Sequence, residues 1–189
     1  MVDQPLLYKP HPSLFPVMLL GGFTGTVLLM AALRLTSSLG VAVVDLPELI
    51  GGVFSGDRST VFTAGHTLFL VAGILVLPLV LAALWPFAPG SRFTFRGALM
   101  RGTIFGLGLF VLTGVLVPVL GAVSQLAGVS FLEPGPFGAA LGVWGPLQLV
   151  LGTQLYAVTV ALVAAMPQGL QPLDAVGWGW WSHGSGESP

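Results

Sequence analysis

The 189-residue chain contains no cysteine, and only 7% of its residues are charged. The first absence excludes a disulfide framework, a thiolate metal site and a cysteine-attached haem. The second matters more. A soluble domain carries about 25% charged residues to solvate its surface. Here six basic and seven acidic side chains serve the whole chain, 54% of which is hydrophobic, and the mean hydropathy is +0.95. Such a chain cannot cover itself with polar groups, so its solvent is lipid. A formal net charge of −1 gives no electrostatic footing for nucleic acid.

Catalytic signatures are missing as well. There is no P-loop, no GxGxxG and no meaningful Ser–His–Asp spacing. A bis-histidyl haem needs two facing histidines within the membrane. Only His66 lies in an apolar run, because His11 and His183 fall in the terminal segments. A zinc or copper centre needs several grouped nitrogen, sulfur or carboxylate ligands, and none are grouped in sequence. The apolar runs hold no carboxylate for a proton path. These absences argue against an independent ion pump or redox enzyme. They assign no catalytic residue, no metal and no cofactor, so the chain reads as a non-enzyme, at most a subunit of an oxidoreductase complex without redox centres of its own.

What is present is four long apolar runs: 14–33, 61–85, 103–123 and 139–166. About 20 apolar residues in a helix cross the hydrocarbon core. Backbone amides in lipid must be bonded internally, which helices achieve, and the runs are continuous rather than alternating as barrel strands would be. The expectation is an all-α integral membrane protein with four transmembrane helices. A proline-rich N-terminal arm (1–13) precedes the four-helix domain (14–166), and a Trp/Gly-rich C-terminal tail (167–189) follows it. A cleaved signal peptide is the competing reading of the first run. The run is long for one and has no convincing small-x-small site before Arg34, so a retained helix is expected. In the tail, Trp178, Trp180 and Trp181 suit a membrane interface or a neighbouring subunit.

The connection between the first two runs carries a signal of its own. Asp45-Leu46-Pro47-Glu48 has capping-box spacing, with Asp45 as N-cap and Glu48 at the third helical position. Leu46, Leu49, Ile50 and Val53 then recur at helical spacing. A short amphipathic interfacial helix is expected, as a connector burying its apolar face on the bundle rather than a functional lid.

Small residues recur four apart at Gly21/Gly25, Gly102/Gly106 and Gly138/Gly142, the spacing of close helix packing inside the bundle or against other membrane subunits. Pro78, Pro118 and Pro146 interrupt the second, third and fourth runs and can kink them. His66 lies about 8 Å into the second run, at ~1.5 Å per residue. Trp144 and Gln148 fall at similar depth on the fourth, and Ser124 and Gln125 end the third on that side. An intramembrane ionisable residue is a candidate site by default. His66, Trp144 and Gln148 are therefore candidates for a quinone or lipid contact. The plainer role is a histidine hydrogen-bonded to Gln148 or to a carbonyl, pinning helices together.

One family resemblance is carried by particular residues. Gly21-Gly22-Phe23-Thr24-Gly25-Thr26 with Met30 is followed by Asp45-x-Pro47 and Gly65-His66. Arg96-Gly97-Ala98, Arg101-Gly102-x-x-Phe105-Gly106 and Pro118-x-x-Gly121 come next. Over roughly 21–166 the chain resembles an uncharacterised family of four-helix membrane proteins encoded beside haem–copper terminal oxidases in bacteria and haloarchaea. That family often has a histidine in its fourth helix, where this chain has Gln148 and Gln154. The resemblance implies a bacterial or archaeal cell membrane and an association with respiratory electron transfer. The expected function is a non-catalytic accessory subunit, structural or for assembly, of a respiratory complex, above all a terminal oxidase. Its expected partners are other integral membrane subunits and lipids. The alternative is a self-standing small carrier, or a quinone- or lipid-binding protein, using the His66–Gln148 region.

Orientation follows from the arginines. The segment 86–102 holds Arg92, Arg96 and Arg101, and positive charge near helix ends stays on the cytoplasmic side. Four spans then place both termini in the cytoplasm, in agreement with Lys9. Single cysteines placed in this cysteine-free chain at Ser91 and Ser130 should label from opposite faces of the membrane. Labelling of Ser91→Cys by an impermeant thiol reagent on intact cells would reverse the orientation.

Overall fold

The computed structural model describes residues 14–54, 57–89, 95–126 and 135–166, and all regular structure among them is helical. The elements are α1 (Leu14–Ser38), α2 (Leu46–Gly52) and α3 (Arg58–Val71), then a π-helical turn (Ala72–Val76) leading into α4 (Leu77–Leu84). They continue with α5 (Phe95–Leu126), a 3₁₀ segment (Pro136–Leu141) and α6 (Trp144–Ala165). α3, the π turn and α4 form one continuous rod. With α1, α5 and α6 it makes four helices long and apolar enough to cross a membrane. The N-terminal arm, the tail tryptophans, Arg92 and Glu133 lie outside the described residues.

Two boundaries differ from the sequence expectation for identifiable reasons. α5 starts at Phe95, so Arg96 and Arg101 belong to a helix rather than to a loop. Arg101 is 2% exposed and lies over the Trp85 ring, 4.8 Å from its centroid. Its charge is therefore held against an aromatic face, an arrangement that hydropathy and charge counting do not anticipate. The fourth span starts at Trp144, not at residue 139. Gly135, Phe137, Gly138 and Gly142 all have positive φ in the segment before it, which no α-helix accommodates. Phe137, at φ 55°, is the costly one, at about 1–2 kcal/mol for a residue with a Cβ. Its ring is held against Gly114 and lies 5.0 Å from that of Phe110.

The bundle is an open arc. α5 packs on α6, α6 on α1, and α1 on the π turn and α4, while α2 bridges from α3 to α5. The arc is closed at the end opposite α2, where Trp85 stacks with Phe105 at 6.3 Å. Leu14, Met18, Leu81, Ala157, Val160 and Ala164 fill that end. Towards α2 the core is smaller, built from Val44, Leu49, Val117 and Leu149.

Glycine lets the backbones meet. A Cβ on Gly21 would stand 3.1 Å from the Cα of Val160, and one on Gly25 would stand 3.0 Å from the Tyr156 ring. At Gly102 it would lie 2.7 Å from the Cα of Val158, and at Gly106 2.7 Å from the Gln154 amide. These four residues thus form the α1–α6 and α5–α6 contacts. Gly138 and Gly142 do not form a helical packing stripe. Gly138 touches Val44 and Gly145 from the 3₁₀ segment, whereas a Cβ on Gly142 would meet nothing within 4 Å.

Gly25→Leu should therefore overpack the α1–α6 contact, at a cost of typically 1–3 kcal/mol. The expected result is a lower melting temperature in detergent and reduced membrane content. Unchanged stability would show that this contact is not maintained in solution.

Candidate functional site

The capping expectation holds in its essential bond. Asp45 Oδ1 accepts the Glu48 N–H at 3.0 Å and starts α2. Asp57 does the same for α3, its carboxylate accepting the Thr60 N–H at 3.0 Å. Hydrogen bonds from Ser59, and then Thr60, hold the Asp57 carboxyl below the usual carboxylate range. Burial pushes the Glu48 carboxyl up, aided by the neighbouring Asp45 and opposed by Arg58 and His66. α2 lies so close to α3 that Gly51 faces the Val61 carbonyl and Gly65 faces the Pro47 carbonyl, where no side chain would fit.

The polar residues singled out in the spans divide between two clefts. His66 Nδ1 is 2.9 Å from the Phe62 carbonyl of its own helix, and the His66 ring lies 4.1 Å from that of Phe62. His66 borders a small cleft with Arg34, Ser37, Asp45 and Pro47. Gln148 turns elsewhere. Its Oε1 accepts the Val44 N–H at 3.0 Å and so ties α6 to the segment leading into α2. Gln148 and Trp144 border a different cleft, between α1 and α6, with Thr36 and Leu155. Of the two partners expected for His66, Gln148 or a carbonyl, it takes the carbonyl, that of Phe62, while Gln148 bonds the Val44 N–H. Ser124 donates to the Gly121 carbonyl at 2.8 Å. Gln154 donates to the Thr103 carbonyl at 3.3 Å and links α6 to α5.

No motif or spacing in the sequence marks the apolar cavity of about 200 Å³ that lies beneath α2. α1 and α6 form its back through Thr26, Leu29, Thr153 and Tyr156, and α2 roofs it with Leu46 and Ile50. Phe69, Ala72 and Leu77 line one side and α5 lines the other. Leu112 and Leu116 of α5 are 50% and 43% exposed, so the mouth opens sideways between the second span and α5.

The cavity has a local cause. Pro78 has no N–H, so a carbonyl one turn earlier loses its helical donor. The helix responds with a π turn, in which the Leu77 N–H reaches the Ala72 carbonyl five residues back. The Gly73 carbonyl accepts the buried Tyr156 hydroxyl instead, at 2.6 Å. Gly22 and Thr26 of α1 press against this turn at Pro78 and Gly73. The rod is thus held on α1 and α6, and the side facing α5 stays open. Of the three run-interrupting prolines, Pro146 sits in the first turn of α6, where it breaks no helical bond. Pro118 lies inside α5, which continues through it.

Among the described residues, no group of three or more His, Asp or Glu side chains is arranged to hold a metal ion. No protein-family model matches the chain, and no curated protein or solved structure is significantly similar to it.

Tyr156→Phe removes the donor and leaves the Gly73 carbonyl buried without it, which costs about 1–3 kcal/mol. The variant should melt earlier than wild type while keeping its far-ultraviolet helical signal. Equal melting temperatures would show that the π turn is held by packing alone.

Proposed function

We propose that the chain is a non-catalytic accessory subunit of a respiratory membrane complex, foremost a terminal oxidase. Its role is to support partners by packing rather than to carry out chemistry. One observation carries the non-catalytic part. The polar residues placed within the spans serve the helical framework: His66 against the Phe62 carbonyl, Gln148 at Val44, Gln154 at Thr103 and Arg101 against Trp85. Polar side chains in lipid are favourable when they satisfy a nearby backbone group or ring; each of these makes one such contact, and the Gln148 Nε2 is buried without a hydrogen-bond partner among the described residues. The resemblance over 21–166 supports the respiratory assignment.

Surface composition supports partners in the membrane. Phe23, Val27, Leu68, Val111, Val115 and Leu151 are exposed along the spans, available to lipid or to other helices. A multi-pass cell-membrane location with cytoplasmic termini belongs to the same proposal. The competing reading, a self-standing carrier or quinone- or lipid-binding protein using the His66–Gln148 region, would draw on two clefts, since His66 borders one and Gln148 another.

Solubilised membranes run on a native gel should show the chain migrating with haem-bearing partners. His66→Gln should leave both turnover and subunit content of that complex unchanged. A small free particle on the gel, or an assembled complex inactivated by His66→Gln, would overturn the proposal.

A further inference from the structure

The two ends of the bundle differ in how tightly they are filled. Opposite α2, the helices are packed around Trp85 and Met18. Beneath α2, the same helices leave a cavity of about 200 Å³. The wall of that cavity offers little to a polar guest. Thr26 donates to the Gly22 carbonyl at 2.7 Å, Thr153 to the Leu149 carbonyl at 2.9 Å, and Tyr156 to the Gly73 carbonyl at 2.6 Å. Thr113 is the remaining hydroxyl, and it can turn back to its own helix as the other threonines do. Water has no reason to enter. An apolar cavity of about 150 Å³ stays dry and takes up an apolar molecule of benzene size, and this one is larger.

We propose that the cavity holds one hydrocarbon chain of a bilayer phospholipid. The chain enters sideways between the second span and α5 and lies under α2. Three observations select this occupant. The mouth is at the half-exposed Leu112 and Leu116, on a face that a spanning helix turns to lipid. The roof of Leu46 and Ile50 and the floor of Leu77 and Leu109 close the cavity above and below, so a guest comes from the bilayer rather than from water. The π turn keeps Ala72 and Gly73, two residues with little or no side chain, along the wall. A lipid chain meets each condition while its headgroup stays at the membrane surface. The inference rests on the cavity and is independent of any respiratory partner.

The test uses the full-length protein purified in mild detergent, supplemented with palmitoyl-oleoyl-phosphatidylglycerol and examined by native mass spectrometry. Wild type should hold one phospholipid under activation that strips the others. Ala72→Phe fills the cavity from its wall, and Leu116→Trp blocks it at the half-exposed mouth. Either should reduce the retained lipid roughly tenfold, equivalent to about 1.4 kcal/mol. Leu75→Phe, on an exposed face of the same span outside the cavity, should retain as much as wild type. Melting curves identify any variant that fails to fold, and the remaining filled variant then carries the comparison. Three results overturn the proposal: no phospholipid held by wild type, full retention in a folded filled variant, or displacement of the lipid by equimolar decylubiquinone. The last would assign the cavity to a quinone instead.

Discussion

The hydrogen bond from Tyr156 to the Gly73 carbonyl is the constraint around which the bundle is arranged. Lipid supplies no donor for a carbonyl stranded by proline. Pro78 creates that need, the π turn exposes the carbonyl, and α6 delivers the hydroxyl at 2.6 Å. The rod of the second span is thereby held to α6 across the face of α1. Gly22 and Thr26 fit into the turn, and Gly25 lets Tyr156 approach. A bulkier residue at any of these places would force the three helices apart.

The two halves of the molecule follow from that fixed point. Towards Trp85 the spans converge, and an aromatic stack with a buried arginine closes the arc. Towards α2 the second span and α5 diverge, and a seven-residue helix covers the space between them. Gly51 and Gly65 make that cover tight on α3, while Leu46, Leu49 and Ile50 reach over towards α5. α2 is thus a connector whose apolar residues complete a wall. An enclosed void of about 200 Å³ would cost on the order of 5 kcal/mol if left empty, which is why the side opening onto lipid matters to stability.

Capping signals are readable because they are local. Asp45 and Glu48 stand three apart, and the bond between them needs no tertiary partner. Asp57 makes the equivalent local bond to the Thr60 N–H at the start of α3. The polar residues of the spans are harder to read, because depth along a helix says nothing of azimuth. His66, Trp144 and Gln148 share a level, but His66 borders one cleft and Trp144 and Gln148 border another. The Gly138/Gly142 spacing misleads for a related reason: a four-residue interval implies one face only if the backbone between is helical, and Phe137 with its glycine neighbours is not.

Composition and run length by themselves determined the class of this protein. So few charges and four apolar stretches of spanning length leave helices in lipid as the arrangement that satisfies every backbone amide. Local spacing likewise determined the start of α2 and the close-packing role open to Gly21, Gly25, Gly102 and Gly106. Tertiary structure alone decided which partners those groups met. It put Tyr156 opposite Gly73, residues 83 apart in sequence, and Gln148 against Val44, 104 apart. It turned Arg101 from a loop charge into a buried cation on Trp85. It also opened the cavity: Pro78 and the π turn are local, but the void depends on how far the helices diverge, which is set by contacts such as Tyr156–Gly73 between residues remote in sequence.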